Sequence, residues 1–243
     1  MRKTITYAHI SGIPLKVHWN WFPVAFLLVF CFSVGYFPLR NSDWPNQVYW
    51  SIGILTTFLF FSSVLFHELA HALVAIREGV GVNSITLFIY GGASHIANEP
   101  PTAKSDFRIV AAGPIASFTL GVFYFAAATT TTDTPAIREV SHYLSYMNFM
   151  LAGFNLIPGF PLDGGRIIRA LLWHLTGSFQ RATRLATSAG FLVAALIVGS
   201  GIAFIIFGSL YNGFWAILIG LFLAYITFDS KRRANRLETN PGA

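Results

Sequence analysis

Phe66-His67-Glu68-Leu69-Ala70-His71-Ala72 decides how this chain is read, because it places three ionisable groups inside an apolar run. The run extends from about Val48 to Ile76. On a helix, positions i and i+4 share a face, so His67 and His71 can bind one metal ion together. Glu68 lies beside the first of them, placed to handle a water at that ion. A charged side chain at mid-helix in a bilayer costs roughly 2.5–3.5 kcal/mol on insertion scales. A divalent cation would compensate all three groups at once. The stretch therefore reads as zinc-hydrolase chemistry built into a membrane span. A polar packing cluster, or histidines in a watery vestibule, is the alternative.

Composition supports the membrane half of that reading. The chain has 243 residues, 54% of them hydrophobic and 11% charged. Soluble domains carry about 25% charged residues. The single cysteine, Cys31, lies in an apolar run and cannot form an internal disulfide. The net charge of +6 is read first as a topology signal and not as a nucleic-acid site. Met1-Arg2-Lys3 resembles the start of a signal peptide. The next apolar run begins only after Trp19 and no small-residue cleavage site follows, so the N-terminus is expected to be retained.

Working outward, Ile5–Ile10 and Ile13–Trp19 alternate about Ser11-Gly12 and predict a surface β-hairpin. Six spans are expected: about Trp21–Phe37, closed by Pro38; Val48–Ile76; Phe107–Thr129; Val140–Leu156; Ala186–Phe207; and Phe214–Phe228. Residues 82–96 are β-branched and aromatic and broken by Gly91-Gly92, which predicts a strand or hairpin at the interface. The fold class is thus an all-α membrane protein with six transmembrane helices and a small membrane-surface β-sheet from the N-terminus and residues 82–96. The expected division is a core over 1–230 and a basic tail over 231–243. No sustained repeat is visible.

Six spans with both termini on one side place fourteen of the 16 Lys and Arg there, leaving Arg40 and Arg138 opposite. The positive-inside rule then makes both termini cytoplasmic. The tail carrying Lys231, Arg232, Arg233 and Arg236 reads as a topology anchor or headgroup contact.

Two histidines do not complete a catalytic zinc site, which usually takes three protein ligands. Asp163 is the best remaining candidate. It ends the stretch Asn155-Leu156-Ile157-Pro158-Gly159-Phe160-Pro161-Leu162, which proline and glycine keep from being a regular helix. Irregular backbone at membrane depth is tolerated where protein buries it or water fills a cavity beside it. Gly164-Gly165 would let this backbone approach the second span. Asp163 also reads as an N-cap for the amphipathic segment after it. His9, His18, His95, His142 and His174 read as interfacial or solvated, and Glu78 and Glu99 as surface charges.

Together, His67-Glu68-x-x-His71 and Asn155-x-x-Pro158-x-x-x-x-Asp163-Gly164 resemble the site-2 protease family of intramembrane zinc metalloproteases. The resemblance runs from Gly12-Ile13-Pro14 to the fifth span. It implies a six-span core and one zinc ion bound by His67, His71 and Asp163. It implies Glu68 as general base and acid, and Asn155 as support for the substrate carbonyl or transition state. It also implies water entry from the cytoplasmic side of a plasma membrane, expected to be prokaryotic. Ala112-Gly113-Pro114 matches a Gly-Pro element of the family's third span; Ser117 stands where an asparagine often follows. No regulatory insert is visible, so the chain reads as a minimal core or a shortened one.

The expected partners are a transmembrane protein substrate and the lipid bilayer, with no nucleic acid; oligomeric state is not legible. A helical substrate must unwind before attack, and the 82–96 strand would offer it an edge to pair with. Proline at Ile89 or Tyr90 is then expected to impair cleavage without releasing zinc. The rival readings are a metal-ion transporter, which would spread polar groups along a path, and a catalytically silent membrane binding protein.

Overall fold

Helix dominates the chain, and the reason lies in its long apolar runs. The computed structural model describes residues 4–88, 91–96, 98–131, 133–160 and 162–239. Arg2, Lys3, Ile89 and Tyr90 lie outside the described residues, as do the side chains of His95, Lys231, Arg232, Arg233 and Arg236.

The elements in order are β1 (Thr4–Ile10), β2 (Ile13–His18), α1 (Trp21–Phe30), a π-helical stretch (Cys31–Tyr36), α2 (Phe37–Arg40), α3 (Asn46–Arg77), β3 (Val82–Phe88) and β4 (Gly91–Ile96). Then follow α4 (Ala103–Thr130), α5 (Pro135–Asn155), α6 (Asp163–Thr176), α7 (Phe179–Ile206) and α8 (Leu210–Thr239). Among the described residues, five helices are long and apolar enough to cross a bilayer: Trp21–Arg40, α3, α4, α7 and Leu210–Phe228. Six were expected. The remaining one, α5, has 21 residues but carries Arg138, Glu139, Ser141, His142, Ser145 and Asn148, which dilute its apolar character.

The first span also runs further than its sequence suggests. Pro38 was expected to close it, yet helix continues to Arg40. Proline cannot donate to the carbonyl four residues back. Here it sits in the first turn of α2, directly after the π-helical stretch. At a change of helical winding the ordinary bond is already interrupted, so its loss adds little.

The chain forms two compact units, Met1–Pro101 with Ala111–Gly153, and Thr102–Val110 with Phe154–Ala243. The first contains a four-stranded sheet in the order β1-β2-β3-β4. β1 and β2 are antiparallel, joined by Ser11 (φ +51°) and Gly12 (φ +80°). Two successive positive φ values are what a tight hairpin turn of this hand requires. β2 and β3 are parallel, with Leu15 opposite Ile85. The helices from α1 to α3 supply the crossover that a parallel pair needs.

Ile13, Leu15 and Ile85 are buried with Ala72 of α3, and Leu65 and Leu69 pack beside them. Leu65, Leu69 and Ala72 are one stripe of α3, spaced i, i+4, i+7. His67 and His71 belong to a different stripe. The sheet therefore holds one face of the helix while the imidazoles occupy another. A second cluster, with Phe32, Phe37, Tyr49, Ile52, Val140 and Leu144 buried, holds the N-terminal half of α3.

In the second unit, α7 and α8 form a helical hairpin through Gly208 (φ +87°). The loop over 156–162 is knitted by its own backbone, with Leu162 N–H donating to Gly159 O at 2.9 Å. The Thr227 hydroxyl donates to Phe160 O. The glycines after Asp163 serve this loop: a Cβ on Gly164 would lie 2.3 Å from Leu156 O, and one on Gly165 2.4 Å from Phe160 N. Within the second unit, the backbone that Gly164 and Gly165 admit most closely is that of the preceding loop.

Arg169 of α6 is clamped to Asp106 of α4, with its Nε 3.1 Å and Nη2 2.8 Å from Asp106 Oδ2, and Arg166 lies 3.7 Å from Oδ1. The guanidinium stacks over Phe160 and Phe179, 5.7 and 4.9 Å from the ring centroids. This ion pair fixes α6, and so the start of the helix that Asp163 opens.

Candidate metal centre

The His-Glu-x-x-His spacing does on α3 what helical geometry dictates. The two Nε2 atoms stand 3.2 Å apart, with rings nearly perpendicular at 82°. Both histidines are buried. Two imidazole nitrogens bound to a tetrahedral zinc at about 2.0–2.1 Å would be ~3.3 Å apart. The observed pair already has that spacing.

The neighbouring helix is shaped to leave this space open. A Cβ on Gly113 of α4 would lie 2.2 Å from His71 Nε2 and 2.6 Å from His67 Nε2. Any side chain there would occupy the position between the imidazoles. One turn further along α4, the Ser117 hydroxyl lies 2.8 Å from His67 Nδ1 and is fully buried. An imidazole that ligates through Nε2 carries its proton on Nδ1 and donates it outward. Ser117 Oγ is positioned to accept it. These residues fit a divalent cation of the zinc type.

Glu68 is half-buried and points toward the sheet. Ser94 of β4 donates its hydroxyl to Glu68 Oε2 at 2.7 Å, and the same hydroxyl lies 3.2 Å from Glu68 O. A Cβ on Gly92 would lie 2.4 Å from Glu68 Cγ, so β4 passes directly over this side chain. The structure thus gathers His67, His71 and Glu68 in the first unit, with Gly113, Ser117, Gly92 and Ser94 around them.

Asn155 and Asp163 belong to the second unit, at the two ends of the 156–162 loop. Asn155 is the last residue of α5 and Asp163 the first of α6. Asp163 is buried. The cap position of α6 is held by Leu162, with no side-chain cap bond. Asp163 is thus one residue past the place where it would have served as N-cap.

Sequence reasoning missed Ser94 and Gly92, and left Ser117 without a role. Ser117 carried a usable signal, since it lies one helical turn past Gly113. Ser94 carried none, because only the fold brings residue 94 to residue 68.

In sequence and fold, the chain is similar to known zinc metalloproteases. The sequence profile described as peptidase family M50 matches residues 55–141 and 129–197. Rip3 of Mycobacterium tuberculosis is 39% identical over 226 residues, 92% of this chain and 57% of Rip3. Zinc metalloprotease MJ0392 of Methanocaldococcus jannaschii is 31% identical, over 98% of this chain and 63% of that protein. Among solved structures, the site-2 protease from Methanocaldococcus jannaschii matches with a TM-score of 0.56 and 30% identity, over 93% of this chain and 94% of that one. The chain spans about three-fifths of the length of the curated relatives it matches.

Proposed function

This chain belongs to peptidase family M50, the site-2 protease family, and from that premise we propose that it is an intramembrane zinc endopeptidase. It cleaves membrane-anchored proteins within or near a transmembrane helix. The observation that carries this reading is the buried His67–His71 pair, with ligand-competent nitrogens 3.2 Å apart inside an apolar helix of 32 residues. His67, His71 and Asp163 would hold one ion; Asp163 contributes a buried carboxylate that opens α6 beside the irregular loop.

A divalent ion so held supplies Lewis acidity toward water and the scissile carbonyl. Glu68 takes a proton from the attacking water and returns it to the leaving amine. The Asn155 amide donates to the substrate carbonyl oxygen as negative charge develops there. An extended substrate is needed because a helical carbonyl is already hydrogen-bonded. Among the described residues β4 is an end strand of the sheet, paired with β3, which offers an edge for such a segment.

In this reading α5 is the fourth of six spans, residues 1–230 are the catalytic core, and 231–243 form a basic cytoplasmic segment. Both termini face the cytoplasm of a prokaryotic cell, as does the water path to the site.

The test is incubation of the purified protein with a panel of single-span membrane proteins, with and without a chelator, reading cleavage positions by mass. Cleavage abolished by chelation, restored by zinc, and lost in Glu68→Gln supports the proposal. Divalent-ion flux across vesicles without cleavage of any substrate would replace it with the transporter reading.

A further inference from the structure

We propose that Ser94 of β4 is a positioning residue for Glu68, so that the edge strand sets the aim of the proton-transferring carboxylate. The inference rests on the peptidase reading above and adds a residue to its machinery. The Ser94 hydroxyl donates to Glu68 Oε2 at 2.7 Å, the length of a charge-assisted O–H···O⁻ bond. Left alone, a glutamate carboxylate rotates broadly about its last torsion. A donor held on a strand paired with β3 restricts that freedom and leaves the other oxygen to face the reacting water.

The strand is itself held to α3. Ser94 is registered opposite Ile85, and Ile85 is fully buried in the cluster that contains Ala72. Ala72 lies one turn from Glu68 on the same helix. Gly92 completes the arrangement, since any side chain there would strike Glu68 Cγ. Donor, spacer and anchor thus all belong to one hairpin.

The experiment compares Ser94→Ala and Ser94→Thr in the full chain, both first checked for zinc content and thermal melting. Ser94→Ala should keep its zinc and lose roughly 10-fold to 100-fold in kcat with KM little changed, as expected for a misaimed catalytic group. Ser94→Thr, which keeps the hydroxyl, should recover most of the rate. In a Glu68→Asp background, whose shorter side chain falls short of the hydroxyl, Ser94→Ala should have no further effect. In zinc-free protein, the carboxylate infrared band isolated by difference from Glu68→Gln should shift in Ser94→Ala.

An unshifted band, an unchanged kcat, or a full loss persisting in the Glu68→Asp background would each overturn the proposal while leaving the peptidase reading intact. A wild-type protein that cleaves nothing, or a Glu68→Gln protein that still cleaves, would instead defeat the peptidase reading itself.

Discussion

His67 Nδ1 and Ser117 Oγ meet 2.8 Å apart across two helices, buried from solvent. A metal-ligating imidazole needs such a partner to fix its ring and its tautomer. Ser117→Ala should therefore weaken zinc binding about 10-fold to 100-fold while leaving the fold intact. Competition against a chromogenic chelator measures it, and unchanged affinity would remove Ser117 from the site.

Gly113 makes a sharper prediction, because its effects on folding and on metal binding oppose one another. In a helix interior alanine is favoured over glycine by about 1 kcal/mol. Its Cβ would nevertheless lie 2.2 Å from His71 Nε2. Gly113→Ala should thus remain folded by thermal melting yet lose bound zinc by elemental analysis. Retention of one zinc per chain would show that the imidazoles can withdraw from α4.

The buried ion pair of α6 predicts an asymmetry between single and double substitutions. Removing one partner of such a pair costs about 3–5 kcal/mol, whereas replacing both by apolar residues is often neutral. Asp106 is fully buried and Arg169 nearly so. Asp106→Asn should destabilise the protein severely in denaturant titration. Asp106→Leu with Arg169→Met should recover most of that loss. Equal damage from both would mean that the charges themselves are required.

How legible this was from sequence depends on the distance over which each feature is determined. The His67–His71 pair was legible because helical spacing alone fixes it. The hairpin at Ser11-Gly12 and the strands within 82–96 were legible for the same local reason. The parallel pairing of Leu15 with Ile85 was not, because it joins residues separated by the whole of α1 to α3. Nor was the Ser94–Glu68 contact, which follows from that pairing. Pro38 misled because its usual meaning assumes an α-helical predecessor, and here the winding is π. Gly164-Gly165 announced a close approach without naming what approaches; within the second unit it is the preceding loop.

The central claim is that His67 and His71, joined by Asp163, hold one zinc ion. X-ray absorption at the zinc edge of the purified protein tests it most directly. The account predicts one zinc per chain with two imidazole nitrogens at about 2.0–2.1 Å and oxygen filling the remaining shell, and a changed oxygen shell in Asp163→Ala. Zinc bound through sulfur, or a spectrum unaltered by replacing His67, His71 and Asp163 in turn, would contradict it.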